Sequence, residues 1–310
     1  MTRPLVSIVT PSYNQAWFLE ETIASILEQD YPNIEYVIVD DGSTDGSVDI
    51  IRRYSDRLHW WTQQENAGQV AAINRGFEHT SGTLMTYINS DDTLLPGAVS
   101  EMVAEFEANP DLVMVYGDAV YTDADSNRTG SLRSRAWDPP TMVRNCDNHV
   151  VQPSSMWTRE AWEQAGPFDE RGYYFFDFEL YLRLSVLGPV KHVPRDWSTY
   201  REHGASKSAG DQLGKSRDYL RFADDFLTSD RLPAEFRPYA REGRARARIA
   251  AANNLYGQLE LGLARRWLWE ALALHPQSAS RSSLSLTGKS LLPKPVVRRL
   301  RERRRAANRS

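Results

Sequence analysis

Residues 83–97 read "TLMTYINSDDTLLPG": two adjacent carboxylates, Asp91 and Asp92, leave an apolar strand pattern and run into a helix start. Like charges this close repel, and a turn needs only one of them. The pair is accounted for by a cation held between it and a second anion such as a diphosphate, because a hard divalent ion takes few carboxylates and completes its shell with phosphate oxygens and water. A second pair, Asp40 and Asp41, ends another apolar run in "VIVDDGSTDGS". Gly42 and Gly46 permit positive φ there, and Ser43, Thr44 or Asp45 can cap the next helix, so turn chemistry covers 43–46 and leaves the two acids over. Asp177, in "YYFFDFELYLRLSVLG", heads a helical pattern over 178–187. A cap there fixes the carboxylate and leaves one oxygen for proton transfer, while Glu179 and Arg183 pair four residues apart. His203 lies in the loop "YREHGASKS"; His59, His79, His149, His192 and His275 have no metal-ligand spacing. Phosphoryl transfer through a carboxylate nucleophile needs Asp-x-Asp-Gly-Thr after the first strand, and here the acids are adjacent and follow the second.

The elements that must position these groups alternate. Apolar, β-rich runs at 5–10, 34–40, 58–62 and 83–88 are separated by helical patterns at 17–29, 46–54 and 69–79. Such βαβ alternation predicts a parallel sheet with ligands beyond the carboxyl ends of its strands. The polar clusters "PSYN", "DDGSTDGS", "ENAG" and "NSDD" each follow a strand, which gathers four of them on one rim. From 111 to 210 the pattern is mixed: 111–123 and 128–133 flank a turn at 124–127, followed by a loop rich in Pro, Trp and Asn where an acceptor pocket belongs. Residues 212–275 read as helical. Within them a hairpin pattern ending at Pro276 resembles a single tetratricopeptide-like unit, for which packing on the core is the plainer reading. The expected organisation is a domain over 1–210, a helical region over 211–276, and a Ser-rich linker with a basic tail over 277–310.

Composition is that of a globular protein, 310 residues with 41% apolar and 25% charged content. No apolar run approaches a membrane span and the first residues lack a secretory pattern, so a cytoplasmic location is expected. Cys146 is the single cysteine, which excludes an internal disulfide or a cysteine zinc site. Residues 289–310 carry nine Lys/Arg against one Glu, so within the net charge of −4 a tail of +8 follows a body of −12. With no aromatic residues between the arginines, nucleic acid is not the expected partner. Val296, Val297 and Leu300 on one side of a short basic helix instead suit an anionic membrane surface, which would place the protein peripherally at the inner membrane.

Taken in order, "VSIVTPSYN", "VIVDDGSTDGS", "NAGQVAAINRGF", "YINSDDTLLPGAV" and "FDFELYLRL" closely resemble the family 2 glycosyltransferases of the GT-A fold. The likeness covers about residues 4–205 and is strongest to bacterial transferases that build O-antigen and other surface polysaccharides. It implies an α/β, Rossmann-like, mixed and mainly parallel sheet flanked by helices, with a helical C-terminal extension. The implied activity is inverting, metal-dependent transfer from a nucleotide diphosphosugar, a UDP-sugar first, to a hydroxyl of a glycan or lipid-linked glycan, with Mg²⁺ or Mn²⁺ as cofactor. On this resemblance Asp41 contacts the nucleotide base together with Pro11, Ser12 and Tyr13, and Asn66, Gly68 and Asn74 lie on the nucleotide side. Asn89 stands where many relatives carry the first acid of an Asp-x-Asp motif. Asp91 then reaches the ribose and shares the metal with Asp92, His203 approaches the metal or diphosphate, and Asp177 is the base. Gln152 and Glu179 fall on the acceptor side. The alternative is a non-catalytic member that binds a nucleotide sugar or glycan and recruits partners through its helical C-terminal region; intact Asp91, Asp92 and Asp177 favour the enzyme.

Overall fold

The computed structural model describes residues 3–171, 174–204 and 212–278, with isolated positions beyond. Most of the basic tail therefore lies outside the described residues. No helix among those described is long and apolar enough to cross a membrane.

The first half alternates as its periodicity predicts: β1 (Val6–Ser12), α1 (Ala16–Leu27), β2 (Ile34–Asp40), α2 (Ser47–Arg53), β3 (Trp60–Gln63), α3 (Gln69–Glu78), β4 (Leu84–Tyr87) and α4 (Ala98–Ala108). β5 (Met114–Thr122) and β6 (Arg128–Leu132) form an antiparallel hairpin, and α5 (Pro139–Asn145), β7 (Ser155–Thr158), α6 (Arg159–Ala165), α7 (Phe176–Leu184) and β8 (Val190–Arg201) follow. The strands make one mixed sheet in the order β3-β2-β1-β4-β7-β5-β6, with β8 beside β5.

β1 is buried throughout and β2 from Glu35 on, and alternate side chains feed two cores. Val6, Ile8, Tyr36 and Ile38 pack with Leu19, Ile23, Ile51, Val99 and Met102 from α1, α2 and α4. Val9, Val37 and Val39 pack with Ile73 and Phe77 of α3 and with Leu180 and Tyr181 of α7. This period-two partition seats helices on both faces of the sheet. β1 to β4 pair in parallel, so Ser12, Asp40, Gln63 and Tyr87 all end on one rim. β7 is antiparallel to both β4 and β5, and β8 is parallel to β5. Two reversals restore the direction of β4, so β8 delivers its carboxyl end, Arg201, to that same rim.

One detail differs from the sequence expectation. α7 begins at Phe176, so Asp177 lies in its first turn rather than capping it; Phe176 and Phe178 are both buried, and that burial pulls the helix start back. α4 is preceded by Gly97 at φ 79° with no side-chain cap, so neither Asp91 nor Asp92 caps it.

The chain divides into two compact units. The first comprises Met1–Trp137, His149–Gly172 and Phe176–Gly210; the second comprises Asp138–Asn148, Tyr173–Phe175 and Asp211–Ser310. The second unit holds α8 (Gln212–Phe226), α9 (Arg237–Gly257) and α10 (Leu261–Leu274) together with α5, a segment the sequence reading had left in the first domain.

Candidate active site

Every candidate site residue belongs to the first unit. The loop after β1 is stitched to the loop after β2: Asn14 N–H donates to Ser43 Oγ (2.9 Å) and Thr44 N–H donates to Asn14 Oδ1 (2.8 Å). Asp40 is scaffold, accepting from Ser43 N–H at 2.9 Å and from Ser12 Oγ at 3.3 Å. Asp41 accepts from Gln64 Nε2 (2.7 Å), Ala67 N–H (2.9 Å) and Gly68 N–H (2.8 Å), which pins the loop after β3 beside it. Gly42 must be glycine, since its φ is +86° and a Cβ would meet Asn66 N at 3.2 Å. Three of the four expected clusters thus lie side by side. Tyr13 (49% exposed) and Asn66 present open surface there, with Pro11 buried beneath.

Gln69 Nε2 donates to Asn89 Oδ1 (2.7 Å), Asn89 Nδ2 donates to Gln152 Oε1 (3.3 Å), and Gln152 Nε2 donates to the Tyr87 carbonyl (2.7 Å). This chain joins the loop after β3 to the segment that carries the aspartate pair. Asp91, with its side chain 18% exposed, places Oδ2 at 3.1 Å from His203 Nε2. Asp92 is buried; its Oδ1 accepts from Arg201 N–H at 2.9 Å and its carbonyl accepts from Thr22 Oγ1 at 2.7 Å. Burial, and then the charge of Asp91, push the Asp92 carboxyl well above the usual carboxylate range, against hydrogen bonds from Arg201 N–H and Asn89.

Asp177 enters from α7, with Phe178 N–H donating to its Oδ1 at 2.8 Å. Burial, the nearby charge of Asp177, Tyr181 and the charge of Asp92 all push the buried Tyr87 phenol far above its usual range, so both carboxylates act on it.

Several expected contacts turn out to be structural. Asn74 spends its amide on the 168–170 loop: Nδ2 donates to Phe168 O (2.9 Å) and Glu170 Oε1 (3.1 Å), and Oδ1 accepts from Phe168 N–H (3.1 Å). Its amide thus ties α3 to that loop. Ser12 is buried against Asp40, and Gln152 is engaged at both ends by Asn89 and the Tyr87 carbonyl. Glu179 is buried at 3.6 Å from Arg183, whose guanidinium in turn donates to the Gly166 and Pro167 carbonyls; it is core, not acceptor surface. Arg201 was missed altogether, although it stands two residues before His203.

Among the described residues no three His, Cys, Asp or Glu side chains are grouped so as to hold a metal by themselves. The pair with His203 nevertheless fits an ion that takes the rest of its shell from a bound diphosphate. Asp91 Oδ2 and His203 Nε2 are hydrogen-bonded at 3.1 Å, which brings a carboxylate oxygen and an imidazole nitrogen, both donors to a divalent cation, to one point.

The family model described as Glycosyl transferase family 2 matches residues 7–162. The chain belongs to this family. It is 30% identical over 210 residues to the chondroitin synthase of Escherichia coli, an alignment covering 66% of this chain and 30% of that protein. The chain thus spans under a third of that relative's length. Among solved structures, residues 1–349 of TarS from S. aureus in complex with UDP-GlcNAc match with a TM-score of 0.64 at 16% identity, covering 96% of this chain and 87% of that one. The mannosyltransferase PcManGT from Pyrobaculum calidifontis, in complex with GDP-Man and Mn²⁺, matches with a TM-score of 0.59 at 21% identity, covering 97% and 84%. The fold of this family 2 member is GT-A.

Proposed function

We propose that this family 2 chain transfers a sugar from a nucleotide diphosphosugar to a hydroxyl acceptor with inversion, in the synthesis of a cell-surface polysaccharide. The observation that carries the reading is the placing of Asp91, hydrogen-bonded to His203, and Asp92, held by the Arg201 N–H, on the rim where β1 to β4 and β8 end. Tyr13, Asn66 and the backbone held by Asp41 receive the nucleoside. Asp91, Asp92 and His203 hold the divalent cation, Mg²⁺ or Mn²⁺, which as a Lewis acid offsets charge on the departing diphosphate. Asp177 accepts the proton of the acceptor hydroxyl while the acceptor oxygen bonds to the anomeric carbon and the carbon–phosphate oxygen bond breaks. One base and no protein nucleophile imply a single displacement, hence inversion. TarS solved with UDP-GlcNAc supports a UDP-sugar, and the mannosyltransferase solved with GDP-Man and Mn²⁺ supports the cation.

The test is a panel of nucleotide sugars incubated with purified protein, reading release of nucleoside diphosphate with Mn²⁺ and with EDTA. Release from one donor that depends on the metal, and that glycan acceptors accelerate, is expected. Binding without release across the panel would favour a non-catalytic nucleotide-sugar-binding protein instead.

A further inference from the structure

Arg201 closes β8, and its side chain is 1% exposed. Its three guanidinium nitrogens each donate to a protein oxygen. Nε reaches the Asp91 carbonyl at 2.8 Å, Nη1 reaches Ser126 Oγ at 2.7 Å and the Asp123 carbonyl at 3.3 Å, and Nη2 reaches Glu21 Oε2 at 2.6 Å. Its Cζ lies 4.9 Å from the centre of the Phe18 ring, and that ring packs on His203 with centroids 4.4 Å apart. The backbone N–H of the same residue donates to Asp92 Oδ1 at 2.9 Å. One residue therefore touches both aspartates, shares a ring with the histidine, and anchors all of them to α1 and to the β5–β6 turn.

A buried arginine beside two carboxylates invites the reading of a phosphate clamp. Its geometry argues otherwise, because its donors point along separate directions into three protein segments. We propose that Arg201 is a positioning residue that sets the spacing of Asp91, Asp92 and His203, so that a cation and a nucleoside diphosphate are bound together. The inference rests on the metal-dependent reading above. Lysine cannot replace this function: a point ammonium on a flexible stem does not span the Asp91 carbonyl, the β5–β6 turn and Glu21 at once.

The experiment is calorimetric titration of the full chain with UDP, and in parallel with GDP, in Mn²⁺ and in EDTA. In the wild type Mn²⁺ tightens binding of the preferred nucleotide. In Arg201→Lys that enhancement should fall by about tenfold or more while metal-free affinity stays within about twofold, since only the charge-assisted contacts that align the aspartates are lost. A purely structural residue would lower both affinities together, and that result, or an unchanged enhancement, overturns the proposal. Glu21→Gln is the second variant, in case loss of the buried guanidinium prevents folding. It removes a half-exposed charge at the outer end of the arginine, and the metal enhancement should fall by about two- to threefold with the melting temperature unmoved. A folded Glu21→Gln with full enhancement overturns the coupling. A wild type whose nucleotide binding ignores Mn²⁺ instead sinks the metal-dependent reading itself.

Discussion

Asp177 is held by the N–H of Phe178 in the first turn of α7, close enough to Tyr87 for its charge to be felt there. Asparagine keeps that shape and cannot accept a proton at neutral pH. Asp177→Asn should therefore leave donor affinity intact and lower kcat by about 10²-fold or more, the usual share of a general base; steady-state kinetics with a titrated donor checks this. Asn74 makes the opposite case. Asn74→Ala removes hydrogen bonds to Phe168 and Glu170 and should cost about 1–3 kcal/mol in denaturant unfolding, with donor KM unchanged. Residue chemistry made the aspartates and His203 legible, because adjacent carboxylates after a strand demand a reason. It did not show that Asn74 and Glu179 have protein partners of their own. An amide or acid in a motif reads the same whether its partners are ligand or backbone, and only the fold decides which. Arg201 had a faint signal, an arginine two residues before a loop histidine, whose meaning depends on β8 running parallel to β5.

At the scale of elements, the βαβ half of the sheet was legible because strand and helix periods differ and two-faced burial leaves long apolar runs. β7 and β8 were not, since pairings across tens of residues leave no local period. The start of α7 moved by two residues for a related reason: tertiary burial of Phe176 outranks a cap. Where the first strands begin, Glu35 of β2 binds them together. Burial works against its ionisation, but hydrogen bonds from Ser7 Oγ, Ser81 N–H, Gly82 N–H and Ser81 Oγ outweigh it and hold the carboxyl below the usual range. A folded pKa below the unfolded one means that the ionised group stabilises the fold above the unfolded value and loses that contribution as pH falls through the folded value. The difference in melting temperature between wild type and Glu35→Gln should be full at neutral pH and shrink below about pH 4, where Glu titrates. A difference that stays constant from pH 7 to pH 3 would contradict this. Gly82 is tied to the same knot by space, because a Cβ there would meet the Leu5 carbonyl at 2.6 Å.

For the whole molecule, composition and helical pattern separated the α/β half from the helical half, but the division is not one cut in the chain. α5, at 139–145, sits between stretches of the first unit and packs in the second, where Met142 and Val143 are fully buried. The contact with α9 is close enough that a Cβ on Gly243 would stand 2.2 Å from the Val143 carbonyl oxygen and 3.1 Å from Leu227 Cδ1. Backbone cannot yield as a flexible side chain does, so Gly243→Ala should destabilise the protein by about 1–3 kcal/mol in denaturant unfolding, as overpacking does. The same packing governs truncation. A chain ending at residue 210 retains α5 but lacks α8, α9 and α10, so it bares Met142 and Val143 instead of yielding a trimmed catalytic domain. That fragment should bind a hydrophobic dye and melt below the full chain, and substituting Met142 and Val143 with polar residues should recover part of its solubility. A fragment 1–210 that melts as high as the full chain, without dye binding, would show that α5 owes nothing to the helices behind it.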